Sequence, residues 1–158
     1  MNRPRYFFET VLMPNWDELK GSPGDERCAT NAILTADAFF GILHRHLRDL
    51  EHPDAGGSDS AFREDVAERV RAYRIVRDTA YALKHGILDD HRKTPRLVRR
   101  AEQVEARHVP FGTGSFGNAT YGGNAVFIQM DNGDEERGAS IIEEVVAEAR
   151  ASIDRYEC

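Results

Sequence analysis

Apolar residues recur every three or four positions between residues 62 and 87, and this stripe constrains the fold more than any other feature of the sequence. Its members are Phe62, Val66, Val70, Tyr73, Val76, Ala80, Leu83 and Ile87. Side chains at this spacing lie on one face of an α-helix, and that face must be buried against other elements. The stripe therefore predicts a helix over 60–86 within a helical bundle, with Ser58, Asp59 or Ser60 capping its start.

The same period predicts two further helices. One covers 29–50 and ends before His52-Pro53, and the other covers 140–156 and begins with a Ser-Ile-Ile-Glu capping box at Ser140. Asn132-Gly133 follows an apolar run, which predicts an antiparallel hairpin over 125–139. The remaining segments are predicted to be a third strand over 6–13, a loop over 14–26 and a glycine-rich loop over 110–124. Residues 94–107 fit a short helix, and Pro95 with the β-branched valines also allows an extended segment.

The chain length and composition are those of one globular domain. The 158 residues, 41% of them hydrophobic, can bury a continuous core without disulfides or structural metals. We therefore expect a single domain over 1–158. Its predicted class is mainly α, a helical bundle with a small antiparallel β-hairpin or three-stranded sheet.

Charge is distributed unevenly along the chain, and this excludes some functions. The net charge is -6, and residues 131–158 account for all of it with nine acidic residues and three arginines. A neutral body with an acidic end is not typical of a protein with general affinity for DNA. Two cysteines without metal-ligand spacing and no run of about 18 apolar residues indicate a cytoplasmic protein that does not enter a membrane.

Two motifs suggest cofactors or metals, and their contexts argue against both. GTGSFG at 112–117 matches a dinucleotide-binding pattern, but a proline precedes it and a strand rather than a helix is predicted to follow. DAFFGILH at 37–44 and DTAYALKH at 78–85 each place Asp and His about 10.5 Å apart along a helix, too far for one ion. No cofactor or metal is predicted, although His85 and Asp89 have ligand spacing if the helix extends that far.

RDTAYALKHG, residues 77–86, permits a structural and a functional interpretation. On a helical wheel, Arg74, Asp78, Tyr81 and His85 lie opposite the apolar face, where Arg74 and Asp78 would form an exposed ion pair. Lys84 and His85 complement the dipole at the helix end, and Gly86 can cap it. In the functional interpretation, His85 moves a proton and Arg77 holds a phosphate, the minimum for RNA cleavage without a metal.

The sequence resembles a known group of proteins over most of its length. The order NWDELKGSPGDERCATNAILTADAFFGIL, YRIVRDTAYALKHG, a glycine-rich stretch and a strand ending in DNGD is similar to small uncharacterised bacterial and prophage proteins. Their Arg-Asp…Lys-His helix resembles the signature of the HEPN superfamily, helical bundles that include RNases of toxin and defence systems and binders of nucleotides or partners. In that superfamily four to six residues separate the Arg from the His, whereas seven separate Arg77 from His85 here.

The resemblance implies a homodimer whose paired motif helices bring two Arg-His sets together. Arg77, Asp78 and His85 would then be the catalytic residues. Arg74, Tyr81 and Lys84, with His44 from the neighbouring helix, are the candidate substrate-binding residues. The expected function is binding of RNA or a nucleotide, extending to metal-independent RNA cleavage. The alternative is a non-catalytic helical protein that mediates interaction or oligomerisation.

Overall fold

The computed structural model describes residues 3–88, 94–109 and 123–158. Its helices are α1 (Arg3–Phe7), α2 (Met13–Gly21), α3 (Glu26–Asp49), α4 (Asp59–Arg69), α5 (Arg71–His85) and α6 (Gly138–Arg155). Its strands are β1 (Val104–His108), β2 (Asn124–Gln129) and β3 (Glu135–Arg137), which form one antiparallel sheet in the order β1-β2-β3. The predicted mainly helical class with a small antiparallel sheet is confirmed. Most of the predicted glycine-rich loop, and Asp89, lie outside the described residues.

The core lies between α3, α5 and α6, with α2 and the inner face of the sheet packed around it. Aromatic rings join these elements. The ring centroids of Phe39 and Phe40 of α3 are 5.2 Å apart, and the centroid of Phe40 lies 4.3 Å from that of Tyr73 of α5. Val126 and Ile128 of β2 point into the same cluster and are buried. The buried apolar side chains of α2 to α6 and β2 therefore form one continuous hydrophobic cluster.

The predicted strand over 6–13 is wrong, because the chain is helical from Arg3 to Gly21, and the predicted loop over 14–26 is confined to residues 22–25. A π-helical turn over Phe8–Leu12 precedes Pro14, so the proline falls at the start of a new α-helical segment, where its missing N–H is tolerated. Phe8, Leu12, Trp16 and Leu19 are buried at helical spacing. Burial of this stripe outweighs the strand propensity of the segment.

The predicted helix over 60–86 is broken into two. Val70 adopts an extended conformation, with φ -125° and ψ 98°, and separates α4 from α5. Ser58 caps α4, since its hydroxyl accepts a hydrogen bond from the N–H of Ala61. The break lets α4 fold back against α5, and a β-branched valine fits an extended position well. Neither proline nor glycine marks the break in the sequence.

Of the two alternatives for 94–107, the helix is wrong and the extended one is closer, because these residues contain a 3-10 turn over Ala101–Gln103 and then β1. The third strand of the sheet is thus β1 rather than the segment over 6–13. The predicted hairpin is present, with Gln129 opposite Glu135 and Gly133 at a positive φ of 91° in the turn. The predicted capping box at Ser140 is absent, because α6 starts at Gly138, directly after β3.

Across residues 3–88, 94–109 and 123–158, no helix has both the length and the apolar character that crossing a membrane requires.

Candidate functional site

The predicted motif residues lie on α5, whose residues 72–80 are all buried. The structure therefore corrects the interpretation of Arg74 and Asp78 as an exposed ion pair. Both side chains are buried, and they bind different partners. The reason is that α3, α4, α6 and the segment around Leu97 surround this helix, which leaves its middle no face towards solvent.

Arg74 and Arg77 both bind Glu64 of α4. Arg74 Nη1 lies 2.7 Å from one carboxylate oxygen of Glu64, and Arg77 Nη1 pairs with the other. Arg77 is only 1% exposed, and its Nη2 also donates to the carbonyl and hydroxyl oxygens of Ser60 at 3.3 Å. The Arg77 guanidinium thus joins α5 to α4.

The two arginines shift the ionisation of Glu64. Burial raises the pKa of this carboxyl, but the hydrogen bonds and charges of Arg74 and Arg77 outweigh burial. The net pKa lies below the ordinary value of 4.5. Glu64 is therefore an anion that holds α4 and α5 together at neutral pH.

Asp78 faces a different part of the chain. One carboxylate oxygen accepts a hydrogen bond from the Leu97 N–H at 2.8 Å, and the other lies 3.4 Å from Arg96 Nη1. Burial raises the pKa of Asp78 above its ordinary 3.8, and the Leu97 N–H and Arg96 only partly oppose this. Asp78 therefore anchors the segment that leads into β1.

The end of α5 carries the exposed members of the motif. The rings of Tyr81 and His85 stack with centroids 6.1 Å apart, and His85 is exposed. The guanidinium of Arg96 lies 5.2 Å from the centre of the Tyr81 ring. Arg96, which the sequence interpretation did not select, is thus an arginine on the His85 side of α5.

One chain does not bring the three predicted catalytic residues together. Eight positions along α5 separate Arg77 from His85, about 12 Å of helix axis at 1.5 Å per residue. Arg77 faces α4, whereas His85 is exposed at the helix end. The catalytic roles of Arg77, Asp78 and His85 stay a prediction that depends on a second copy of the chain.

A groove of about 640 Å³ lies beside α3 and the start of α4, and Lys84 and His44 belong to it. Five cationic side chains and two carboxylates line it, a local balance of +3. The cations are Arg3, Arg45, Arg48, Arg63 and Lys84, and the carboxylates are Asp37 and Asp59. The groove is therefore cationic although the chain is acidic overall.

The inner wall of the groove is built on Asp37, whose side chain is 0% exposed. Its carboxylate accepts hydrogen bonds from Arg63 of α4 at 3.0 Å and from Tyr73 of α5 at 3.2 Å. Lys84 donates a third at 3.3 Å, and its side chain remains 47% exposed. Burial, and then the charge of Asp37, raises the pKa of Tyr73 well above 10, so the phenol stays protonated and can donate.

Arg63 links the two carboxylates of the groove. It binds Asp37 through Nη1 and both oxygens of Asp59 through Nε and Nη2, at 2.9 to 3.0 Å. Burial lowers the pKa of Arg63, but the charges and hydrogen bonds of Asp37 and Asp59 outweigh it, and the net pKa is raised. A Cβ at Gly41 would lie 2.3 Å from Arg63 Nη2, so a larger residue at position 41 would require the guanidinium to move.

His44 is a further residue of α3 that lines the groove. Its side chain is 4% exposed, its ring lies 5.4 Å from that of Phe62, and its Nδ1 is 3.7 Å from Asp59 Oδ1. Nε2 is buried and has no hydrogen-bond partner within the described part of the chain. Of the predicted substrate-binding residues, the groove thus brings His44 and Lys84 together and leaves Arg74 and Tyr81 outside its lining.

Sequence reasoning missed Asp37, Arg63 and Arg48 as site residues. Asp37 entered only as a possible metal ligand, and Arg63 lies 26 positions away from it in the chain. A glycine in the middle of a strong helix, Gly41, was the available signal of close approach. Among the described residues, no cluster of three or more His, Cys, Asp or Glu side chains could hold a metal ion.

Comparison of the chain with known protein families, curated proteins and solved structures yields no match. The function is therefore inferred from the geometry of the site.

Replacing Glu64 with Gln should make the protein less stable at neutral pH. The loss of the charged hydrogen bonds to Arg74 and Arg77 should cost about 1–3 kcal/mol in free energy of unfolding. Because the folded state lowers the pKa of Glu64, this stabilisation is present above pH 4.5 and is lost as pH falls through the folded-state pKa. Denaturant titrations from pH 7 to pH 3 should show wild type and variant converging in acid.

The matched control is Glu68→Gln, which makes the same change at an exposed position of α4. It should alter the free energy of unfolding by no more than about 0.5 kcal/mol at any pH. A Glu64→Gln deficit that stays constant down to pH 3 would contradict the role of the Glu64 charge.

Replacing Asp37 with Ala should destabilise the fold by about 3–5 kcal/mol, because Arg63, Tyr73 and Lys84 lose a buried partner. Asp49→Ala on the same helix removes only an exposed pair with Arg45 and should cost at most about 0.5 kcal/mol. Thermal and chemical unfolding measure both. If Asp37→Ala does not fold, Asp37→Asn keeps the shape and should show a smaller loss; equal stability of Asp37→Asn and wild type would argue against the network.

Proposed function

We propose that the protein binds RNA or a nucleotide, with the phosphate held in the cationic groove beside α3. The observation that carries the proposal is the pair Arg3 and Arg48, two exposed groove arginines that pair with no carboxylate among the described residues. A guanidinium binds phosphate through a planar set of donors. Unpaired arginines in a concave site are therefore suited to an anionic ligand.

Some of the cations that line the groove are already neutralised by carboxylates, and the others are not. Asp37 and Asp59 neutralise Arg63 and Lys84 through the contacts described above. Arg45 pairs with Asp49 at 3.0 Å. The excess positive charge is therefore that of Arg3 and Arg48, which line the groove and are exposed to solvent.

The size and lining of the groove support the same proposal. Its volume of about 640 Å³ lies within the range of small-molecule sites. Its lining residues include no Phe, Tyr or Trp within the described part of the chain. Stacking of bases on such rings is a common element of single-strand recognition. The groove is thus suited to phosphate and sugar rather than to a stacked base.

Metal-independent RNA cleavage is a further step of this proposal. It requires a homodimer in which the partner chain brings an arginine to the exposed His85. The stacking of His85 on Tyr81, with Arg96 over the same Tyr81 ring, supports an active surface at the end of α5. The burial of Arg77 against Glu64 limits the part that this arginine can take.

A second candidate function is a non-catalytic role in interaction or oligomerisation. The observation that favours it is that Arg74, Arg77 and Asp78 all bind groups of their own chain. In this interpretation, the motif helix is a structural element and its exposed end is a surface for another protein. Ile87, 67% exposed beside His85, would be part of that surface.

Replacing Arg48 with Ala should weaken binding of RNA to the groove. Removing one phosphate contact should lower affinity about five- to eightfold at 0.1 M salt and reduce the slope of log K against log salt by about one. The loss should be similar for RNAs of different sequence. Fluorescence anisotropy with labelled oligoribonucleotides between 50 and 300 mM salt measures both quantities.

Arg27→Ala is the matched control, because Arg27 is an exposed arginine on the same helix, about 30 Å of helix axis from Arg48. Its affinity and salt slope should equal those of wild type. Absence of RNA and nucleotide binding by the wild-type protein at 50 mM salt would remove the proposed function and leave the interaction role.

Cleavage is tested separately from binding. Wild-type protein incubated with structured RNA in EDTA should produce fragments, and His85→Ala should abolish them because the proton-transferring imidazole is gone. His46→Ala, which removes a partly buried histidine of α3, should cleave as wild type does. Intact RNA after incubation with wild type would argue against the ribonuclease step without affecting the binding proposal.

A further inference from the structure

Lys84 belongs both to the cationic groove and to the end of α5. Its Nζ lies 3.3 Å from the Asp37 carboxylate in the groove wall and 5.7 Å from the centre of the Tyr81 ring. Its side chain is 47% exposed. An ammonium group carries three donors, so two remain for a ligand after the hydrogen bond to Asp37. Lys84 therefore joins the groove to the surface around Tyr81.

The surface on the far side of Lys84 contains the aromatic rings that the lining of the groove lacks. The rings of Tyr81 and His85 form an aromatic platform, with planes 24° apart and centroids 6.1 Å apart, and His85 is exposed. The Arg96 guanidinium lies 5.2 Å from the centre of the Tyr81 ring and also pairs with Asp78. The platform thus combines an exposed ring with cations beside it.

Aromatic rings beside cations are the combination that binds single-stranded nucleic acid. Bases stack on aromatic side chains, and a positively charged groove follows the backbone. Complementing the dipole of α5 explains a cation at position 85, but it does not require an imidazole held nearly parallel to a second ring. The exposed imidazole of His85 therefore offers a flat face to a base.

We propose that the ligand of the groove is single-stranded RNA, whose backbone runs from Arg48 past Lys84 to the platform, where one base stacks on His85. The inference rests on the proposed function, because the groove must hold a phosphate of the same strand. A free nucleotide with its phosphate in the groove has no second nucleotide for the platform. A strand that contacts both sites binds more tightly, because its second contact is intramolecular.

The test compares two ligands that carry the same number of phosphates, octauridylate and an abasic chain of eight ribose phosphates. Both carry 2′-O-methyl groups, which prevent cleavage through the ribose hydroxyl. Anisotropy titrations at 0.1 M salt should show that wild type binds octauridylate at least about fivefold more tightly than the abasic chain, the contribution of one stacked base. At saturation, one strand should be bound per protein chain.

Variants at two positions separate stacking from phosphate binding. His85→Ala removes the exposed ring and should abolish the difference between octauridylate and the abasic chain. His85→Phe restores a ring without a proton-transferring nitrogen, so it should recover the difference in binding although it cleaves no RNA. Arg48→Ala removes a phosphate contact that both ligands share and should weaken both by the same factor.

His108→Ala is the matched control, because it removes an exposed histidine at the end of β1 that does not line the groove. It should retain the full preference for octauridylate over the abasic chain. A loss of this preference equal to that of His85→Ala would contradict a specific role of the platform.

The two levels of inference fail in different ways. Equal affinity of wild type for octauridylate and the abasic chain would overturn the platform and leave phosphate binding in the groove intact. Two strands bound per chain would also overturn the continuous path, since the groove and the platform would then bind separately. A preference that survives in His85→Ala, or that His85→Phe does not recover, would overturn stacking on residue 85. Binding of neither ligand would overturn the proposed function itself.

Discussion

The buried carboxylate of Asp37 is the interaction on which the arrangement of the helices and the groove depends. Removing a carboxylate from water is costly unless nearly every lone pair finds a donor. Arg63 of α4 and Tyr73 and Lys84 of α5 supply three donors to one side chain of α3. These partners come from two helices on either side of Val70, so satisfying Asp37 requires the chain to turn at that residue. The same contacts fix the inner wall of the groove.

The motif at 77–86 shows how tertiary packing divides one helix between two roles. Its first half, Arg77 and Asp78, lies inside the molecule and binds Glu64, Arg96 and the backbone of Leu97. Its second half, Lys84 and His85, lies at the helix end and reaches solvent. Burial is thus the variable that a helical wheel does not contain: residues opposite an apolar face are exposed only if nothing packs there. On α5, α4 and the segment around Leu97 cover that side.

The fold was predictable from the sequence where a periodic stripe was long and its ends were marked, and less so elsewhere. The hairpin at Asn132-Gly133 and the helices α3, α5 and α6 carry such signals. Phe8, Leu12, Trp16 and Leu19 also have helical spacing, but aromatic composition and Pro14 favoured a strand and a loop. The site was less predictable because Arg63 and Asp37 meet only after α4 folds back. His44 and Lys84 were selected from α3 and α5 without knowledge of the carboxylates that join them.

An acidic protein can present an anion site because the local charge, rather than the net charge, determines the field in a groove. Charges more than about 10 Å apart are largely screened at 0.1 M salt, so the acidic residues in 131–158 oppose binding only where they lie near the groove. Within the groove, Asp37 and Asp59 hold Arg63 and Lys84 in place before any ligand arrives. Groups oriented in advance lose little entropy on binding. The paired inner charges therefore shape the site, and the outer arginines supply the attraction for phosphate.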